Sequence, residues 1–158
     1  MIKLYGSLTK SLSKLPKTGE LDLDLSDCTT KDNTINTTLF PVNMQNRIVS
    51  MILPDSIEEI VDMIFENLKK ISGRNVLKIY EYAFYKCLRL TSIDFPNVTR
   101  IGDYAFEKCK SLESIDLPKM HEVNEDVFKN CDSLKTINLY NAYQIEDFMP
   151  GVCGELFD

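Results

Sequence analysis

The sequence predicts an α/β solenoid: a right-handed stack of short parallel strands, opened at the N-terminus by a helix–strand cap. Three observations carry that expectation. Six apolar columns recur at a period of 22 residues from Ile79 onward, and self-similarity at such a period is the mark of a repeat architecture. Within each unit two of the columns alternate with polar residues, the period of a strand with one buried face. Ahead of the repeats, a stripe at helical spacing precedes a strand-like alternation.

The columns align without gaps. Ile79, Ile101, Val123 and Ile145 form the first, and Phe84, Phe106 and Phe128 the second. Cys87, Cys109, Cys131 and Cys153 follow, then Leu90, Leu112, Leu134 and Leu156. Ile93, Ile115 and Ile137 precede a last column of Phe95, Leu117 and Leu139. The apolar side chains of one unit stabilise less than the ordering of its backbone costs, so a unit cannot fold alone. Stacked units share a continuous core, each touching only its neighbours. Equivalent strands then pair in parallel about 4.8 Å apart, with crossovers of the usual right hand.

The N-terminal segment reads differently. Tyr5, Leu8, Leu12 and Leu15 recur at helical spacing, with Lys3, Lys10 and Lys14 outside the stripe. This predicts an amphipathic helix over residues 2–15, stopped by Pro16 and a turn at Thr18 and Gly19. Leu21, Leu23 and Leu25 alternate with Asp22 and Asp24, which predicts a half-buried strand. Together they suit a cap, because a solenoid's end exposes its core and an unpaired strand edge. Residues 27–46, rich in Thr and Asn, read as a loop enclosing a short strand at Thr38–Phe40.

Residues 47–78 carry the grammar in irregular form. Met51, Leu53 and Pro54 match Ile93, Phe95 and Pro96. Ile60 and Phe65 stand at the Ile-to-Phe spacing, with Leu68 and Ile71 in the Cys and Leu places and a more helical stretch over Val61–Lys70. On that alignment, Ser72–Lys78 is too short for the usual strand unless the repeat is deformed. One domain therefore spans the chain: cap and loop over 1–46, an irregular repeat over 47–78, three regular repeats over 79–144, and a partial terminal repeat over 145–158.

The segments IGDYAFEKCKSLESIDLP and VNEDVFKNCDSLKTINLY resemble the leucine-rich repeats of the BspA-like class. That pattern is Leu-x-x-Ile-x-Leu-Pro, a spacer, Ile-Gly-x-x-Ala-Phe, then Cys and Leu. Pro96, Pro118, Ala83, Ala105 and Gly102 occupy its places, whereas Tyr140, Asn124 and Val127 depart from it. The resemblance covers about half the chain closely. It implies a leucine-rich-repeat solenoid that binds protein without catalysis, on a cell surface or secreted, in adhesion to host proteins. The alternative is an intracellular scaffold or assembly subunit.

Composition excludes several classes. Of 158 residues the net charge is −6 with signs interspersed, so no basic surface for nucleic acid is expected. No apolar run approaches the ~18 residues of a membrane-spanning helix. The first residues lack the apolar centre of a signal peptide, which leaves an intracellular protein or a leader already removed. The solenoid is expected as a monomer or an end-to-end dimer.

No catalytic, cofactor or metal site is expected either. A straight ladder of cysteines cannot converge on a tetrahedral metal, and parallel side chains do not point at one another as a disulfide needs. Buried structural thiols are the better reading. His121 is the lone histidine, in a spacer with no nucleophile or acid pattern around it. Six scattered glycines make no phosphate loop. The sequons at Asn36 and Asn97 read as coincidence.

Two surfaces remain. The outward strand positions Ser92, Asp94, Ser114, Asp116, Thr136 and Asn138, with Tyr140 after them, form an acidic and hydroxyl-rich strip. It is either a solvated face or a docking strip for an unidentified basic or polar protein partner. Tyr82 and Tyr104, two residues before their Phe, face out on the second side. They either pack on each other or anchor a partner.

Overall fold

A computed structural model describes residues 1–120, 123 and 126–139. It is a solenoid of parallel strands. The first sheet takes β1 (Ile2–Ser7), β2 (Leu21–Thr29), β4 (Ile48–Ile52), β6 (Lys70–Ser72) and β8 (Ser92–Asp94) in that order. Beside β8, the strand pair β10 (Ser114–Asp116) and β11 (Thr136–Asn138) continues the stack. The second sheet orders β3 (Thr34–Asn36), β5 (Glu59–Asp62), β7 (Lys78–Ile79) and β9 (Arg100–Ile101). One continuous core lies between them.

The apolar columns are the core. Ile71 pairs with Ile93 on the first sheet, Ile115 with Ile137 on the strand pair that follows it, and Ile60, Ile79 and Ile101 pair in turn on the second. Phe106 stacks on Phe84 at 5.1 Å and on Phe128 at 5.6 Å, all three fully buried. Identical side chains fall on identical side chains because each rung repeats the last. The burial that one unit lacks comes from its neighbours.

Helix is scarce, which corrects the expected α/β character to a β-solenoid. The described helices are α1 (Leu8–Leu12), α2 (Val42–Gln45) and one 3-10 turn (Thr37–Leu39). The helix expected over residues 2–15 is a strand as far as Ser7. β1 pairs in parallel with β2, Ile2 facing Leu23 and Lys3 facing Asp24. Leu4 is buried and Tyr5 is 65 % exposed, so period-two alternation governs this stretch rather than the helical stripe. Gly6, still paired with Cys28 inside the strand, holds φ 73°, a backbone state closed to a right-handed helix. The N-terminal unit is thus strand–helix–strand.

Two further expectations are corrected. The strand expected at Thr38–Phe40 lies earlier, at Thr34–Asn36. Its continuation is the 3-10 turn, held by the Asn36 side-chain oxygen accepting from the Thr38 amide at 3.0 Å. In the irregular repeat, Val61–Lys70 contains no helix and no strand is lost. Ile71 is a strand residue, flanked by Met51 and Ile93. Leu68 donates its amide to the Phe65 carbonyl as Leu90 does to Cys87 and Leu112 to Cys109, so Phe65 and Leu68 take the Cys and Leu places. The Phe place belongs to Met63, whose carbonyl accepts from Cys87 as that of Phe84 accepts from Cys109. This rung is shorter than the others, and the missing residues come from its turns.

Candidate binding surfaces

The strand face is two outward columns in register. Asp22, Ser50, Lys70 and Ser92 form one. Lys3, Asp24, Ile52, Ser72 and Asp94 form the other. On the following strands Ser114 faces Thr136 and Asp116 faces Asn138. The structure therefore brings Ser92, Asp94, Ser114, Asp116, Thr136 and Asn138 onto neighbouring strands; Tyr140 lies outside the described residues, as do His121 and Cys153.

The carboxylates of this face divide into two kinds. Asp22 accepts from the Ser50 hydroxyl at 2.6 Å. Asp24 accepts from the Ser26 hydroxyl at 2.7 Å and faces Lys3 at 3.7 Å, and the Ser26 contact chiefly holds its carboxyl below the usual range. Asp94 and Asp116 are exposed and form no ion pair with any described residue. Between the two groups stands Lys70, which sequence reasoning missed because the irregular repeat was aligned three residues away. A shallow hollow of about 330 Å³ opens there, bordered by Met1, Ser50, Ile52, Lys70, Ser92 and Asp94. The strip is acidic at the later strands and mixed at the earlier ones.

Tyr82 and Tyr104 do pack on each other. Their rings stack at 5.1 Å and 6°, with Tyr85 edge-on to Tyr82 at 5.7 Å. Lysines complete the ridge: Lys86 and Lys108 lie 4.9 and 5.1 Å from the Tyr85 ring, and Lys129 lies 5.3 Å from that of Tyr104. Tyr104 also hydrogen-bonds Asp126, which raises the phenol and lowers the carboxyl. Both tyrosines hold left-handed backbone, at φ 57° and 59°. Tyr82 keeps 42 % of its surface exposed.

The thiols are built into the rungs. Cys87, Cys109 and Cys131 are buried, unpaired, and each donates to a carbonyl one rung earlier. Among the described residues no cluster of His, Cys, Asp or Glu gathers as metal ligands would. No described helix is long and apolar enough to cross a membrane. At the second sequon, the Asn97 amide nitrogen donates to the Arg74 carbonyl at 2.6 Å, repeating the Asn75-to-Asp55 bond one rung before. That amide is a stitch between rungs.

The fold has solved counterparts. A leucine rich cell surface protein from Faecalibacterium prausnitzii is 31 % identical with a TM-score of 0.51, over 58 % of this chain and 27 % of that one. A leucine-rich repeat protein from Bacteroides ovatus is 26 % identical with a TM-score of 0.52, over 79 % of this chain and 36 % of that one. This chain thus spans about a third of their length or less. No curated protein matches. Residues 33–149 match the family described as the BspA type leucine rich repeat region, in six copies. That match takes in most of the chain and agrees with the rungs, the strand ladders and the cysteine column: the chain belongs to the BspA-type leucine-rich-repeat family.

Proposed function

We propose that this chain is a non-catalytic protein-binding module working at the cell surface or outside the cell, and that it docks its partner on the strand face. The observation that carries the reading is the run of outward strand positions, on which Asp94 of β8 and Asp116 of the neighbouring β10 project without ion-pair partners among the described residues. Paired parallel strands repeat such positions about every 4.8 Å. Such a strip matches an extended basic or polar polypeptide surface better than a small substrate. The family and the relative described as a cell surface protein support the location. The buried thiols offer no accessible nucleophile.

The test is a binding screen of the purified chain against extracellular-matrix and cell-surface proteins at physiological salt. Beside it runs a variant carrying Asp94→Lys, Asp116→Lys and Asn138→Lys. Saturable binding that this folded variant loses supports the reading. Binding it retains moves the contact off the strand face, and no binding to any extracellular candidate removes the adhesion role.

A further inference from the structure

The ladder along the strand face is broken at one step. From β1 to β8 each strand pairs with the next, and β10 pairs with β11, but β8 and β10 lie side by side without ladder bonds. The flanking bonds show what is missing. Leu53 donates its amide to the Ser72 carbonyl at 2.8 Å, Gly73 to that of Asp94 at 3.1 Å and Leu117 to that of Asn138 at 2.9 Å. At the break the equivalent donor is Phe95 and the equivalent acceptor Asp116, and this bond is not formed. At the other end of the strands Thr91 donates to Lys69 and Lys135 to Glu113, while Glu113 makes no such bond to Thr91. Phe95 is 1 % exposed, so its amide is buried with no partner among the described residues, a state that folded chains rarely tolerate. Ile93 is only partly buried there, although Ile71 and Ile115 of the same column are buried.

The outward residues account for the place. Lys3, Asp24, Ile52, Ser72 and Asp94 face one another in turn, and beyond the break Asp116, one repeat after Asp94, faces Asn138. Among the described strands of this face, the step from β8 to β10 alone sets like charge beside like charge. Like charges directly opposite destabilise a sheet. Two other steps act as controls. Asp116 beside the uncharged Asn138 keeps its ladder. Lys78 beside Arg100 on the second sheet also keeps it, but there Glu59 pairs with Lys78 at 3.0 Å. Asp94 and Asp116 have no such counter-ion among the described residues. The turn side of the same two repeats stays bonded, Tyr82 donating to the Asp103 carbonyl, Phe84 to that of Ala105 and Lys86 to that of Glu107. The two rungs are fixed along one wall and open on the strand face.

We propose that the β8–β10 step is a joint held open by Asp94 and Asp116, and that a basic partner polypeptide closes it by laying one arginine side chain across both carboxylates. A guanidinium carries N–H donors along more than one edge of a rigid plane, so it can bond a carboxylate on each side, and such charge-assisted bonds are the strong ones. With the repulsion removed, the Phe95 amide meets the Asp116 carbonyl and the two blocks of strands become one sheet. This inference rests on the strand-face reading and adds to it. The partner is selected by an arginine at one step, and its docking stiffens the stack.

The experiment is amide hydrogen exchange of the full chain read by NMR, free and with blocked Ala-Arg-Ala-Arg-Ala, whose arginines face one way when it is extended. In the free protein Phe95 should exchange at least about tenfold faster than Leu53, Gly73 and Leu117. Asp116→Asn should slow Phe95 by about tenfold; the substitution is remote from Phe95 in sequence and leaves its intrinsic rate alone. The arginine peptide should slow it likewise, and the same peptide with citrulline, which keeps the shape and loses the charge, should not. Phe95 exchanging as slowly as Leu117 in the free protein overturns the joint and leaves the strand-face reading standing. Unchanged exchange in Asp116→Asn overturns the charge as its cause and assigns the break to the core, where Phe95 is followed by the smaller Leu117. Arginine-peptide binding that shifts β8 and β10 amides but leaves Phe95 fast overturns the closure alone, as does citrulline acting equally well. No binding of the arginine peptide overturns the closure and counts against the strand face too. Asp116 is exposed, and unchanged exchange at Leu53 and Gly73 reports that the variant is folded.

Discussion

Cys109 donates its thiol hydrogen to the carbonyl oxygen of Phe84, 3.2 Å away and one rung earlier in the stack. Cys87 does the same to Met63 at 3.4 Å and Cys131 to Phe106 at 3.0 Å. Burial pushes the Cys87 and Cys131 thiols up to about 12 and moves Cys109 in the same direction. The thiolate is the reactive form. These three cysteines should therefore resist iodoacetamide at pH 8 in the folded protein and react readily in concentrated urea. Peptide mass mapping reads the difference, and rapid labelling of Cys109 in the native protein would contradict the buried ladder.

The same thiols give stability a pH dependence of definite sign. A thiol whose folded value lies near 12 keeps its proton while the unfolded chain, near the usual 9.0, loses it. The contribution is complete below about 9 and disappears as pH rises toward 12. The thermal midpoint should fall across that interval, less steeply in Cys131→Ala than in the parent chain. A parallel pair of curves would remove the thiols as the cause.

Lys86, Lys108 and Asn130 hold the same left-handed position on successive rungs, at φ 60°, 63° and 59°. That backbone costs an ordinary residue about 1–2 kcal/mol, while asparagine adopts it more readily. Lys86→Gly should stabilise the protein by about 0.5 kcal/mol after losing its contact with the Tyr85 ring. Asn130→Gly should gain less. Urea midpoints of the two variants decide it, and a clear loss at Lys86→Gly would mean the ring contact outweighs the strain.

Gly102 is required for a different reason from Gly6. Gly102→Ala drives a methyl into the Glu81 backbone, whereas at Gly6, φ 73°, nothing lies within 4 Å. Gly102→Ala should cost about 2–3 kcal/mol or more, because backbone must move. Gly6→Ala should cost about 1 kcal/mol, for the left-handed backbone alone. Equal unfolding midpoints would show that adjacent rungs can separate at little cost.

The stack itself was legible in the sequence because its signal is repeated: Phe84, Phe106 and Phe128 had to share a column. The first rungs were harder for physical reasons. Tyr5, Leu8, Leu12 and Leu15 have true helical spacing, and the helix does form over Leu8–Leu12, but pairing with β2, a contact across 21 residues at Ile2 and Leu23, makes Ile2–Ser7 a strand. Phe65 misled in another way. An aromatic in the cysteine place mimics the Phe column, so Ile71 and Lys70 were displaced from the strand they occupy. The strand-face residues were legible from alternation alone. The hollow on the second sheet between Tyr80, Arg100 and Gly102 was not, because it depends on Gly102 pressing against the preceding rung.

The side-chain-to-carbonyl stitches described between the regular repeats run one way. Thr91, Asn97, Thr99 and Ser111 donate to carbonyls of the rung before, as the cysteines do. A chain leaving the ribosome N-terminus first then meets its acceptors already in place. The side chains of each newly synthesised rung can therefore close onto a finished surface, while backbone amides such as those of Tyr82, Phe84 and Lys86 stay open for the rung that follows, so the stack is suited to grow at the pace of translation, one course at a time.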